Sequence, residues 1–434
     1  MYSKILKSLI MPLADKVMQT KIMHFYNEIK KMQNFTKSEI VDWQEAMLKR
    51  IITHSYNNTE YYNNLFKKNN LKISDIKKLE DLDKIPVLTK ELIRNNFQQL
   101  QPKNLNNINY KNLSTGGSSG DPLKFLIDYD SWSYIVANKI VYWEKTGYKY
   151  GNKYLAIGST SLFINDEESL KHQLYYRMKN KIGVNGVNMS DEIVKSYVEL
   201  IKSKKIKFLY GYASGIFLLA KYALEKKYQL NIKAVFPTSE VLTDFYRETI
   251  LKAFNCIIMD EYGAHDGGII AFETNKNHYE IGYNSFLRYD NYKENIGDVL
   301  LTNLQSFSMP FINYRLGDKV EISKNKSIYN GQIINKVYGR ESNVIFLENG
   351  NVLTGPGFTI LFKDLDVESY SISKIDINFI KLEIKKLDNF SNDQEKIILE
   401  TLKKQAGDDI KIEIKYVEEF DVLRSGKRKY FYAQ

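Results

Sequence analysis

The sequence predicts an α/β fold: a large, multi-layer N-terminal domain with parallel sheets and a β-rich subdomain, followed by a small α+β C-terminal domain. Three observations predict it. Short apolar runs alternate with helical patterns across residues 153–261, which is how parallel layers are built. Between residues 282 and 337 the pattern changes to short strands and turns, as over 297–303. From about Gly339 the tail offers strands within 375–387, a helix over 393–405 and a strand over 410–417. That βαβ-like order can pack as its own lobe. The expected division is therefore 1–338 and 339–434, and at 434 residues the chain exceeds what one core usually covers.

The elements follow in order. Residues 1–110 read as mainly helical, with apolar residues at helical spacing around Ile40 and across 53–65. Thr89 can cap a helix whose first turn holds Glu91. A glycine- and serine-rich loop precedes a helix over 131–146 and a buried strand over 153–158. Then come strand 206–210, helix 213–226, strand 232–236, helix 243–254 and strand 256–261.

Composition narrows the class. With 43% hydrophobic and 26% charged residues the chain reads as an ordinary globular protein. Its net charge of +10 is spread, as in the run 202–207 and at Lys396, so a solvated lysine face is expected and no nucleic-acid partner. Cys256 is the sole cysteine, which excludes an intramolecular disulfide and a multi-cysteine zinc site and fits a reducing, cytoplasmic compartment. The five histidines form no H-E-x-x-H motif. The apolar patch Leu9-Ile10-Met11 is interrupted by Pro12 and Asp15. It is too short for a signal peptide or a bilayer span, but a basic helix resting on a membrane surface stays open.

The densest motif is Leu113-Ser114-Thr115-Gly116-Gly117-Ser118-Ser119-Gly120-Asp121-Pro122-Leu123-Lys124. Glycines let backbone N–H groups approach an anion and the hydroxyls add donors, which suits a pyrophosphate or triphosphate; a flexible turn is the alternative. The spacing is not a Walker loop, because Asp121 occupies the place of the second glycine. Asp260-Glu261-Tyr262-Gly263-Ala264-His265-Asp266-Gly267-Gly268 follows an apolar run, so it falls just past a strand, at the edge where open α/β sheets bind ligands. There Tyr262 can stack on a ring and Asp266 can hold a hard cation, unless the segment is a tight turn with an acidic cap. In Tyr314-Arg315-Leu316-Gly317-Asp318 the carboxylate can accept two ribose hydroxyls, or pair with arginine in a turn. Gly339-Arg340-Glu341-Ser342-Asn343 suits a hinge, and Arg424-Ser425-Gly426-Lys427-Arg428-Lys429 by composition reads as a basic tail.

Taken in order, these segments resemble the adenylate-forming (acyl-CoA synthetase-like) superfamily. Ile85-Pro86-Val87-Leu88-Thr89-Lys90, the glycine–hydroxyl loop and Tyr210-Gly211-Tyr212-Ala213-Ser214 look most like the phenylacetate–CoA ligase family, in its capsule-biosynthesis branch. The likeness runs from about residue 40 to the end. It implies ATP-dependent activation of a carboxylic acid to an acyl-adenylate with release of diphosphate, then transfer to an acceptor. That acceptor is a coenzyme A thiol, or an amine or hydroxyl in surface-polysaccharide biosynthesis. ATP and Mg2+ are implied, with coenzyme A where a thioester is made. Ser114, Thr115, Gly116, Gly117, Ser118, Ser119 and Gly120 would wrap the ATP phosphates, and Ser239, Glu240, Tyr262, Gly263 and Ala264 would line the adenine and carboxylate pocket. Asp266 would hold magnesium and Asp318 the ribose. Arg340 would sit at the hinge, and Lys427 would be the catalytic lysine of a mobile C-terminal lid. Trp143, Tyr210, Tyr212, Ala264 and His265 are the acyl-pocket candidates, although the aromatic ones read first as core. Two positions depart from the family pattern: Asp266 replaces a glutamate, and Asn343 replaces an aspartate. The competing reading is an inactive basic scaffold for RNA or an anionic membrane, suggested by the tyrosine–lysine interleaving over 142–153.

Overall fold

A computed structural model describes residues 2–115, 123–158, 178–186, 189–293, 295–323, 333–340, 344–347, 352–354, 362, 365–418 and 431–432. They form two compact units. One holds the described residues up to Thr115, Leu123–Leu316 and Glu321–Lys336; the other takes Gly317–Val320 and those from Val337 onward.

The first unit opens with helical segments Tyr2–Ile5, Leu6–Ile10 and Met11–Met18. At the middle one the Met11 N–H donates to the Leu6 carbonyl, a wider π-type turn placed just before Pro12, which has no N–H to give. Helices α1 (Ile22–Met32), α2 (Lys37–Asn58), α3 (Glu60–Lys68) and α4 (Lys90–Asn95) follow. Thr36 and Glu39 form a capping box on α2. The helical run expected over 53–65 is broken at Thr59. Its backbone is extended and its hydroxyl accepts the Tyr62 N–H, so it ends α2 and caps α3. Thr89 caps α4 as expected, accepting the Leu92 N–H at 3.2 Å.

Strands β1 (Tyr110–Ser114) and β2 (Lys124–Asp128) pair antiparallel on either side of the glycine-rich loop. Helix α5 (Tyr129–Glu144) is capped by Asp128, which accepts the Ser131 N–H at 2.7 Å. The chain continues through β3 (Tyr154–Gly158), β4 (Lys181–Asn185), α6 (Asp191–Lys204), β5 (Phe208–Tyr212), α7 (Ala213–Glu225), β6 (Ala234–Thr238), α8 (Asp244–Phe254), β7 (Ile257–Ile258) and β8 (Glu261–Ala264). Strands β3 to β6 pair in parallel, as the alternation predicts. The single strand expected over 256–261 is two strands, separated at Met259 and Asp260. Beyond it come β9 (Gly268–Asn275), β10 (His278–Ile281), β11 (Ser285–Lys293), β12 (Ile296–Asn303), β13 (Tyr314–Ile322) and β14 (Ile333–Arg340), so the strand-rich region expected from residue 282 begins earlier, at Gly268. They continue the same mixed sheet, in the order β11-β12-β13-β14-β10-β9-β8-β6-β5-β3-β4.

The parallel strands are apolar on both faces because both are covered. Leu155, Ile157, Leu209 and Val235 point to one side and pack with residues of α6, α7 and α8. Their neighbours Tyr154, Ala156, Phe208, Tyr210, Ala234 and Phe236 point to the other, against α5 and the N-terminal helices.

In the second unit β15 (Val344–Phe346) pairs with β16 (Val352–Thr354). Strands β17 (Val367–Asp376), β18 (Phe379–Lys386), β19 (Lys411–Tyr416) and β20 (Phe431–Tyr432) form a sheet in the order β19-β18-β17-β20. Helix α9 (Asn392–Ala406) joins β18 to its parallel neighbour β19, the βαβ unit read from the tail. Ile372, Ile380, Leu382, Ile398 and Leu402 build a core of its own.

Candidate active site

The parallel strands of the first unit end at one edge, where open sheets of this kind take ligands. Gly211, in β5, has φ +137°, and a Cβ there would meet the Ile157 carbonyl oxygen at 1.9 Å. Only glycine lets β5 lie this close to β3. Tyr212 ends β5 and leads into α7. Just past β6, Ser239 sits in the left-handed region at φ +69°. Glu240 follows, and its carboxylate accepts the Ser214 N–H at 2.8 Å in the first turn of α7. An anion there satisfies an orphan donor and complements the helix dipole.

Beside them, β8 and β9 form an antiparallel hairpin with an irregularity between Tyr262 and Gly263. A Cβ on Gly263 would meet the Gly268 carbonyl oxygen at 2.6 Å, so the crossing again demands glycine. Tyr262 is buried in β8. The turn, closed by the Gly267 N–H on the Ala264 carbonyl at 3.1 Å, presents Ala264, His265 and Asp266. Asp266 is only 6% exposed. Its Oδ2 accepts the Tyr314 hydroxyl, whereas Oδ1 is buried and has no hydrogen-bond partner among the described residues. A buried carboxylate oxygen left in this state is costly unless a cation or donor meets it. Among the described residues no cluster of three or more His, Cys, Asp or Glu surrounds a metal position. The unmet Oδ1 of Asp266 is the hard oxygen donor that a magnesium ion takes from a single protein carboxylate, so the residue fits that group. Burial draws the His265 imidazole below its ordinary range, with Asp266 opposing. Its ring meets Phe125 edge-on at 5.7 Å, and Phe125, Phe311 and Tyr314 form a connected aromatic support.

Strand β13 is placed partly by the Ile85–Leu88 motif. The Leu88 N–H donates to the Asn313 carbonyl at 3.1 Å and the Leu88 carbonyl accepts the Arg315 N–H at 2.9 Å. The Arg315 guanidinium pairs with Asp290.

Behind the turn lies a polar group set in an aromatic core. Trp143 stacks on Phe236 at 4.0 Å with its ring plane only 7° off parallel, and its indole N–H donates to Glu261 Oε1. Two of the acyl-pocket candidates, Trp143 and Tyr210, thus belong to one packed cluster with Tyr148, Tyr154 and Phe208. The Lys139 ammonium, one turn before Trp143 on α5, lies 4.1 Å from the Tyr210 ring centroid. Burial pushes the Glu261 carboxyl up to about 7, while the charge of Lys139 and the Trp143 N–H pull it back. Glu261 Oε2 is buried and has no hydrogen-bond partner among the described residues. Neighbouring Asp260 is likewise pushed up to about 7 by burial, with the Tyr279 hydroxyl at 2.7 Å opposing.

In the second unit, Asp318 is buried and its Oδ1 lies 3.1 Å from Arg340 Nε. The adjoining Gly317 has φ +83°, a conformation that glycine adopts without strain. Around the glycine loop, Ser114 is exposed at the end of β1. Thr115 closes the neck: its N–H donates to the Leu123 carbonyl at 2.9 Å and its hydroxyl accepts the Leu123 N–H at 3.0 Å. Gly116, Gly117, Ser118, Ser119, Gly120 and Lys427 lie outside the described residues.

The structure thus brings Glu240, Tyr262, Gly263, Ala264, His265 and Asp266 to neighbouring strand ends, and pairs Asp318 with Arg340. Sequence reasoning missed the Tyr314 partner of Asp266, although Tyr314 was already within a quoted motif. It also missed Lys139 and the buried role of Glu261; the four-residue spacing of Lys139 and Trp143 was the available signal.

Residues 345–433 match the family described as the CapK C-terminal domain. The chain aligns over 98% of its length with Protein CapK of Staphylococcus aureus at 24% identity, covering 96% of that protein. A 2-hydroxyisobutyryl-CoA ligase solved in the postadenylation state with R3-HIB-AMP matches 92% of this chain and 90% of its own, with a TM-score of 0.66 and 14% identity. An open conformation of the same ligase, with 2-HIB-AMP and CoA, matches 90% of each chain with a TM-score of 0.58 and 14% identity. This chain is thus similar to Protein CapK over nearly its whole length, matches the CapK C-terminal domain family over 345–433, and shares the α/β fold of the 2-hydroxyisobutyryl-CoA ligase.

Proposed function

We propose that the chain activates a carboxylic acid with ATP and passes the acyl group to an acceptor. The observation that carries this is Asp266, a buried carboxylate with one oxygen anchored by Tyr314 and the other unmet, on a turn at the ligand edge of the sheet. The acyl-adenylate bound by the 2-hydroxyisobutyryl-CoA ligase supports the same chemistry here.

A substrate carboxylate oxygen attacks the ATP α-phosphorus and the bond to the bridging oxygen breaks, giving acyl-AMP and diphosphate. The acceptor then attacks the acyl carbonyl and AMP leaves. Ser114, Thr115 and the residues on to Gly120 donate to the phosphates, and Asp318, oriented by Arg340, accepts the ribose hydroxyls. Ser239, Glu240, Tyr262 and Gly263 flank the nucleotide, with Tyr212, Ala264 and His265 toward the acyl group. Magnesium bound at Asp266 would neutralise phosphate charge. Residues 339–434 act as a mobile lid hinged near Arg340 that delivers the Lys427 ammonium to the developing negative charge. The CoA held by the structural neighbour supports a thiol acceptor. An amine or hydroxyl acceptor in surface-polysaccharide biosynthesis, in the cytoplasm, is the alternative that the sequence resemblance to the capsule-biosynthesis branch supports.

The test is ATP–diphosphate exchange by the purified protein over a panel of carboxylic acids, followed by AMP release with CoA, an amine or neither. Carboxylate-dependent exchange is expected, lowered by orders of magnitude in Lys427→Ala with ATP binding nearly intact. Bound ATP with no exchange for any acid overturns the proposal.

A further inference from the structure

The N-terminal helical segments present two unlike faces. Inward, Leu6 and Met11 are fully buried and join the core under α5. The Tyr2 hydroxyl donates to the Met178 carbonyl at 2.5 Å, and Lys7 donates to Glu144 at 3.0 Å. The segment is therefore anchored along its length. Outward, Ile5, Leu9, Leu13 and Val17 recur every fourth residue, and they are 42%, 58%, 58% and 65% exposed. Large apolar side chains in such a row are not explained by folding, since none of them enters the core.

The charge around the row has one sign. Lys4 and Lys16 are exposed beside it. The only acid in Tyr2–Met18 is Asp15, and it turns inward, accepting the Thr20 hydroxyl at 2.6 Å and the Met23 N–H at 2.8 Å. Nearby carboxylates already face lysines: Glu144 pairs with Lys7 and Lys30, and Asp130 with Lys21. Among the described residues no helix is long and apolar enough to cross a membrane. An apolar ridge flanked by lysines, fixed flat on a basic protein, has the form of a helix that lies in a lipid–water interface.

We propose that this ridge docks the protein on an anionic bilayer surface, with Leu9 and Leu13 entering the acyl boundary and Lys4 and Lys16 meeting lipid phosphates. The docked enzyme would work beside a substrate or acceptor held at the membrane. Co-sedimentation of the full chain with phosphatidylglycerol-containing vesicles, compared with pure phosphatidylcholine vesicles, tests it. Binding to the anionic vesicles is expected, weakened by about tenfold or more in Leu9→Glu/Leu13→Glu and reduced by added salt, and weakened less in Lys4→Gln/Lys16→Gln. A wild-type melting temperature in each variant confirms an intact fold. Equal partition of wild type and the glutamate variant onto anionic vesicles overturns the proposal. So does absence of wild-type binding, or a ridge whose mutation only converts a dimer to a monomer.

Discussion

Glu261→Gln isolates the buried carboxyl behind the proposed catalytic turn. Burial raises Glu261 from 4.5 to about 7. Between those values the native state holds a proton that the unfolded chain has already released. Stability from this group is thus fully present below about pH 4.5, is lost as pH rises toward 7, and is constant above. The displacement from 4.5 to about 7 amounts to about 3 kcal/mol. Glutamine has the shape of the neutral acid, keeps an acceptor for the Trp143 N–H and cannot ionise. The variant should therefore gain on wild type by up to about 3 kcal/mol between pH 4.5 and pH 8. Urea unfolding read by tryptophan fluorescence measures this, since Trp43, Trp132 and Trp143 all lie in the first unit. Asp260 also titrates near 7 but is present in both proteins, so the difference reports mainly on Glu261. A wild-type-minus-variant difference that stays flat across this range would refute the buried-acid reasoning.

Asp266→Asn keeps an acceptor for Tyr314 but loses the charge; ATP–diphosphate exchange should fall by about 100-fold or more while the melting temperature changes little. Tyr314→Phe strands the second Asp266 oxygen and should cost about 1–3 kcal/mol in denaturant unfolding. Gly211→Ala forces a Cβ against the Ile157 carbonyl, and should cost more than about 3 kcal/mol or abolish soluble expression. Arg247 makes two bonds, at 2.6 and 2.8 Å, to the buried Glu273 carboxylate; Arg247→Met removes its countercharge, leaving the Asn277 N–H at 3.0 Å, and should cost about 3–5 kcal/mol by the same unfolding assay.

Local patterns made much of the fold legible. Apolar runs bounded by caps gave β3, β5, β6 and their helices within a few residues, because strands covered on both faces carry continuous apolar sequence. Thr89 announced its helix because a capping hydroxyl acts within three residues. Thr59 is chemically similar, yet the apolar spacing on either side of it read as one helix. The strand over 256–261 misread for another reason. Asp260 and Glu261 carry charge on paper, but here they are buried with the Tyr279 hydroxyl and the Trp143 indole as partners. Partners 19 and 118 residues away leave no trace in a local window. Separation along the chain likewise hid Tyr314 from Asp266, and Lys139 from Tyr210, whose ring its ammonium covers.

The position of Asp266 follows from where the sheet changes direction. β8 begins parallel to β6, with Glu261 opposite Thr238, so its C-terminal end emerges at the same edge as those of β5 and β6. It then pairs antiparallel with β9, and such a pair needs only a short turn rather than a crossover helix. That turn must fall at the edge where Tyr212 and Glu240 already lie. The buried carboxylates Asp260 and Glu261 at the start of β8 fit this account: the strand is packed from its first residue, and so the turn that it carries is held firmly. A mobile loop would relieve the unmet oxygen of Asp266 by swinging it into water. This hairpin, pinned by the Gly263 crossing and by Tyr314, keeps it in place, as the proposed cation site requires.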